Sequence, residues 1–230
     1  MLKAQNVLKV CKVFTITGKY LKLSSKLKVN IDNLKKSWSE EIISHLSIKI
    51  NILGNPAKAE GPLLLVGNHI SYLDIPVLLN SVPEISFVSK REVKSWPILG
   101  KAAIKGRTIF VERSCHKSRN STKDYIAKVL IENKQKVVIF PSGTTSIKSS
   151  LFWKRGAFEI AENNRIMLQP FRIKYKPLRA AAYIDNDNLL IHMYKLLRLK
   201  RIEVTLEFHE PVFIKNIIED CEFWKNWSEQ

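Results

Sequence analysis

His69 and Asp74, five residues apart, form the pair in this chain whose chemistry is most readily named. A neutral imidazole accepts a proton near neutral pH, and a carboxylate held on its other ring nitrogen fixes the tautomer that leaves the reactive nitrogen free. Such a pair suits removal of a proton from a substrate hydroxyl. On a regular helix, residues five apart point about 140° away from each other, so contact between them requires a non-helical turn. Pro76 supports that turn, because proline is tolerated only in the first turn of a helix and so places the helix start near Ser71 to Asp74. The alternative is structural: Asp74 or Ser71 caps a helix and His69 is an ordinary turn residue. H-x-x-x-x-D by itself does not separate the two.

Two further stretches carry polar groups at places where ligands gather. Thr108 to Val111 is β-prone and apolar, so Arg113 falls just past a strand end, with a guanidinium able to grip phosphate in a bidentate way. Phe140-Pro141-Ser142-Gly143-Thr144-Thr145-Ser146 offers small residues and backbone N–H groups that can form a concave anion site. Ser71 and Ser142 are conceivable hydrolase nucleophiles beside His69. Neither stands in G-x-S-x-G, which argues against that class.

The run Asn68-His69-Ile70-Ser71-Tyr72-Leu73-Asp74-Ile75-Pro76 resembles the first signature of the glycerolipid acyltransferases, the 1-acylglycerol-3-phosphate O-acyltransferase family. Three further blocks follow in the family's order: Gly106 to Arg113, Phe140 to Ser146, and the apolar stretch Ile166 to Ile173 with Pro170. Between the first two, Lys90, Glu92, Val93, Trp96, Pro97 and Gly100 match a segment that lies near the acyl chain in the family. The resemblance covers roughly residues 60 to 175. It implies that His69 is the general base and Asp74 its orienting partner, and that Arg113 binds phosphate. It also implies substrate-binding roles for Gly106 and for Ser142, Gly143 and Thr144. One position departs: the family usually has Glu where this chain has Ser142.

The implied reaction moves an acyl group from acyl-CoA or acyl-carrier protein to the free hydroxyl of a lysophospholipid, without cofactor or metal. The first expectation is 1-acylglycerol-3-phosphate, giving phosphatidic acid in phospholipid biosynthesis. A lyso-aminolipid acceptor and a degenerate lipid-binding homologue are the alternatives. The implied fold is α/β, a single catalytic domain with a central mixed sheet flanked by helices.

The elements that must position these groups are legible independently. Apolar runs at 63–66, 85–88, 108–111 and 136–140 read as strands, with helical periodicity over 118–133 and 152–162, and this alternation argues for an α/β domain. A strand over 166–173 is expected to break at Pro170. Weaker signals mark a strand at 48–53, a short helix at 189–199, a strand at 202–208 and a closing helix at 213–227.

A chain of 230 residues with 45% apolar content can bury one substantial core. Its 38 basic against 21 acidic residues give a net charge of +17, which calls for a polyanionic partner. Nucleic acid and an anionic membrane surface are the candidates, and the absence of a recognisable nucleic-acid module favours the membrane. Residues 1–50 carry ten lysines and three carboxylates. There Leu2, Val7, Val10, Val13, Phe14, Tyr20 and Leu21 gather on one helical arc opposite Lys12, Lys19, Lys22 and Lys26, with Leu8, Ile16 and Leu23 off the pattern. Residues 1–50 are therefore expected to be a basic helical membrane-association segment ahead of an acyltransferase domain at 51–230. A solvated lysine face on a helix packed against the domain is the alternative. A second helix is expected over 33–45, capped by Asp32 or Asn33. The longest apolar runs fall short of a membrane span and no signal peptide is recognisable, so contact from the cytoplasmic side is expected. Cys11, Cys115 and Cys221 form neither a disulfide framework nor a zinc spacing.

Overall fold

The computed structural model describes all residues except 1–3, 27, 57–60, 113–115, 148–151 and 185. Seven strands form one mixed sheet in the order β1-β7-β6-β2-β5-β3-β4. They are β1 (Ile48–Leu53), β2 (Leu63–Gly67), β3 (Ile85–Lys90), β4 (Ile109–Val111), β5 (Lys136–Ile139), β6 (Met167–Lys176) and β7 (Ile202–Phe208). All neighbours run parallel except β6 and β7.

The centre of the sheet is β2, and all five of its residues are buried. A parallel strand covered on both faces needs apolar side chains on both, which is why it reads as a continuous Leu-Leu-Leu-Val run. Its alternate side chains feed two cores. Leu63 and Leu65 pack with Val77, Leu78 and the N-terminal helices on one face; Leu64 and Val66 pack with Leu130, Phe158 and Trp224 on the other.

The first face is covered by α1 (Ala4–Leu23), α2 (Ile31–His45) and α3 (Asp74–Ser81), with α4 (Leu99–Lys105) near α1. The second face is covered by α5 (His116–Glu132) and α6 (Gly156–Asn163). A single turn, α7 (Leu178–Ala181), leads to α8 (Leu189–Leu196) beside α1, and α9 (Ile217–Glu229) closes the second face. Among the described residues no helix is long and apolar enough to cross a membrane.

Several boundaries differ from expectation for identifiable reasons. The second helix starts earlier because the Asn30 side chain accepts the N–H groups of Asp32 and Asn33. β6 is not broken at Pro170. Its pairing with β7 begins only at Phe171, so Pro170 sits past that ladder's end, where its carbonyl accepts from the His209 N–H at 2.9 Å. α6 begins at Gly156 instead of residue 152.

α1 is packed against the domain. Val10 and Val13 of its expected apolar arc lie in the core, and so does Ile16, which the arc excluded. The buried stripe is wider than an interfacial helix needs because α2 covers one flank while α4 and α8 cover others. Val7 and Leu8 remain 41% and 68% exposed.

Candidate active site

The carboxyl ends of β2, β3, β4 and β5 lie along one edge of the sheet, where ligands collect in α/β folds. β2 ends at Gly67, where any Cβ would run into the carbonyl oxygen and ring of Phe171. The close approach lets the next residue grip β6: Asn68 donates from Nδ2 to the Ile173 carbonyl at 2.9 Å and accepts the Ile173 N–H at 2.8 Å.

His69 follows in an open turn ahead of α3, as Pro76 required. Its Nδ1 lies 2.7 Å from Oδ2 of Asp74, which is fully buried. The same Oδ2 accepts the N–H groups of Ile70 at 2.8 Å and Ser71 at 3.2 Å. Asp74 therefore ties down the turn before the helix and does not cap α3, whose N-cap Leu73 has no side-chain bond. A carboxylate only accepts, so Nδ1 carries the proton and Nε2 is left as the acceptor. Nε2 has no hydrogen-bond partner among the described residues, and the ring is about one-fifth exposed.

The remaining oxygen, Oδ1, accepts the hydroxyl of Tyr175 at 2.7 Å. Burial, and then the charge of Asp74, push the Tyr175 hydroxyl well above the ordinary tyrosine range, so it stays a donor. The sequence reading missed this residue. The available signal was the two-residue alternation Phe171, Ile173, Tyr175, which puts all three on the inner face of β6.

A second contact group backs the turn. The Phe140 ring stacks on His69 with centroids 3.9 Å apart. The Ser146 N–H donates to the His69 carbonyl at 2.8 Å, and the Tyr183 N–H to the Ile70 carbonyl at 3.0 Å. Tyr72 reaches a buried histidine: His192 Nε2 lies 2.9 Å from the Ala182 carbonyl and so carries the proton, leaving Nδ1 to accept the Tyr72 hydroxyl at 3.0 Å. Burial lowers the His192 pKa, in keeping with that neutral form, and raises that of Tyr72.

Two cavities meet at His69. One, of about 540 Å³, is mainly apolar and runs between α1, α2, α3 and α4, with Val13, Trp38, Leu73, Trp96, Leu99 and Ala103 in its walls. The other, of about 390 Å³, is more polar and is lined by Asn68, Ser142, Ser146, Lys174, Tyr175 and Glu229. The loop after β5 divides them. Gly143, at a φ of 70° that favours glycine, and Thr144 face the apolar side. Ser142 lines the polar side, and its Oγ donates to the Thr144 carbonyl at 2.8 Å.

The expected site residues are thus partly gathered. His69, Asp74, Ser142, Gly143 and Thr144 share one locus. Gly106 ends α4 and lines the wall of the apolar cavity, near the stem of Lys35. Arg113 lies outside the described residues; Glu112 before it is paired with Arg91 at 2.7 Å. Trp96 and Leu99 are cavity walls, with Trp96 45% exposed.

Residues 47–174 match the family model described as Acyltransferase. A lyso-ornithine lipid O-acyltransferase from Pseudomonas aeruginosa is 33% identical over 184 residues, covering 78% of this chain and 69% of that protein. One of the same name from Brucella abortus is 34% identical over 171 residues, covering 66% of this chain and 63% of that protein. A 1-acyl-sn-glycerol-3-phosphate acyltransferase from Neisseria meningitidis serogroup B is 27% identical over 175 residues, covering 73% and 67%. The chain thus spans about two thirds of the length of these relatives. The crystal structure of a 1-acyl-sn-glycerophosphate acyltransferase from Thermotoga maritima superposes with a TM-score of 0.69 over 100% of this chain and 95% of that one, at 19% identity, which speaks for the fold.

Proposed function

The chain belongs to the acyltransferase family, and from that premise we propose that it moves an acyl group from a thioester onto the free hydroxyl of a lysolipid. One observation carries the reading. The free Nε2 of a histidine oriented by a buried carboxylate stands where an apolar and a polar cavity meet. The apolar cavity suits the acyl chain, and the polar one suits the acceptor head group.

His69 Nε2 takes the proton of the acceptor hydroxyl as the oxygen attacks the thioester carbonyl. The imidazolium that forms is stabilised by Asp74. When the tetrahedral intermediate collapses, the C–S bond breaks and the thiolate leaves; the proton on Nε2 neutralises it. The products are an ester and a free thiol, with no acyl-enzyme on the way. The donor is acyl-CoA or acyl-carrier protein.

For the acceptor, two readings stand side by side. 1-Acylglycerol-3-phosphate follows from the family resemblance and from Arg113. A zwitterionic lyso-aminolipid is supported by the relatives above 30% identity that are named for lyso-ornithine lipid. It is supported also by opposite charges, Lys174 and Glu229, lining the polar cavity. An amino-acid head group carries one charge of each sign, and this reading accounts for more of the observations.

Beyond the substrate, the net charge of +17 and the exposed Val7 and Leu8 beside Lys9 and Lys12 support attachment to an anionic membrane surface on its cytoplasmic side. Initial rates of radiolabelled acyl transfer to a panel of lysolipids test the reading. Transfer to lyso-ornithine lipid above lysophosphatidic acid is expected. The reverse order returns the acceptor to 1-acylglycerol-3-phosphate, and transfer to neither removes the enzyme reading.

A further inference from the structure

We infer that Tyr175 is a positioning residue for the acyl-transfer step, acting on the base through Asp74 from a strand that carries no part of the H-x-x-x-x-D signature. This rests on the proposal that His69 is the base.

Asp74 is fully buried and receives four donors, but they are unevenly shared. Oδ2 takes His69 Nδ1, the Ile70 N–H and the Ser71 N–H; Oδ1 takes the Tyr175 hydroxyl. Among the described residues, Tyr175 therefore supplies the contact that holds the second oxygen and sets the rotation of the carboxylate about its Cβ–Cγ bond. Without it, a buried anionic oxygen lacks a donor, which is among the costlier polar defects in a protein interior. The carboxylate then turns toward another donor, and Oδ2 leaves the line to Nδ1. The tautomer and the tilt of His69 both depend on that line.

The fold places Tyr175 with some rigour. Asn68, adjacent to His69, clamps the Ile173 N–H and carbonyl, and Tyr175 is the next residue of β6 on the same inner face. The register of β6 and the catalytic turn are thus locked by one side chain, and the tyrosine is delivered to Asp74 across 101 residues of sequence. Tyr175 stands in the wall of the polar cavity, but it is only 6% exposed and its hydroxyl is spent on Asp74, so the part of that hydroxyl is to aim the carboxylate.

The test is Tyr175→Phe, which keeps the ring and removes the hydroxyl, measured in the full chain alone and combined with Asp74→Asn. In the wild-type background kcat is expected to fall about tenfold, as loss of a hydrogen bond to a charged group implies, with KM for the lysolipid within about twofold. In the Asp74→Asn background the same change is expected to cost less than about twofold, because the charge it serves is gone. Equal losses in both backgrounds would show a merely structural tyrosine, and an unchanged kcat in the single variant would show no role at all; either overturns the inference. If wild type transfers nothing, the functional reading itself fails. If wild type is active and Tyr175→Phe matches it, only this inference does.

Discussion

The imidazole of His69 lies nearly parallel to the ring of Phe140, with centroids 3.9 Å apart and planes 11° from parallel. Asp74 fixes the edge of the imidazole and Phe140 covers a face, so the ring is restrained in tilt as well as in position. Phe140 is itself wedged against Phe87 and Phe171, with centroids 6.4 and 6.0 Å away. Phe140→Leu should lower kcat by about three- to tenfold while leaving the His69–Asp74 bond in place, since stacking of this kind is worth about 0.5 to 1.5 kcal/mol. Steady-state rates with a saturating acyl donor check this.

Alkali should act through two buried tyrosines. Burial raises the folded-state pKa of Tyr175 and of Tyr72 above the ordinary value of 10.0. A group whose folded pKa is raised contributes stability that is fully present below the unfolded value and is lost as pH rises above it. The fold should therefore weaken above about pH 10, where the unfolded chain ionises these phenols and the folded chain does not. Denaturant titrations at pH 8 and at about pH 11 should show a smaller drop in stability for Tyr175→Phe than for wild type. An equal drop would mean that this hydroxyl does not contribute.

The apolar cavity should set the preferred acyl length. Ala103 stands in its wall, and Ala103→Phe should fill part of it. Each methylene denied its place costs about 0.8 kcal/mol, so kcat/KM for long-chain donors should fall by roughly tenfold or more, with short-chain donors little affected. A donor-length series on both variants measures it.

The chain's first helix should be tested by point substitution, because deleting it would remove Val10, Val13 and Ile16 from the core and open a wall of the cavity. Val7→Glu with Leu8→Glu changes only exposed positions. Binding to vesicles containing anionic lipid should drop several-fold and should weaken with salt, while activity on detergent-dispersed lysolipid is retained. Unchanged vesicle binding would place the membrane contact elsewhere.

Much of the site was legible because its signals are local. The H-x-x-x-x-D spacing together with Pro76 required a turn before a helix, and the structure has that turn with His69 and Asp74 in contact. The Leu63–Val66 run announced a strand, and the structure buries it on both faces. What escaped was long-range. The approach of Tyr175 to Asp74 depends on strand order, which a single sequence does not print, and so does the stacking of Phe140 on His69. α1 shows a second kind of limit. Periodicity reveals that a helix has an apolar face, but whether lipid or protein covers it is decided by neighbours such as α2 and α8. Ile16 looked misplaced only because a single covering surface was assumed.

The account stands most directly on the base. His69→Ala and wild type should be compared for acyl transfer from a labelled thioester to lyso-ornithine lipid and to lysophosphatidic acid, with circular dichroism to confirm that both are folded. Because His69 lies in a turn and its removal deletes general-base catalysis, kcat should fall by on the order of 10²- to 10⁴-fold on whichever acceptor the wild type uses, with the fold intact. A folded His69→Ala protein that turns over at near the wild-type rate would contradict the account.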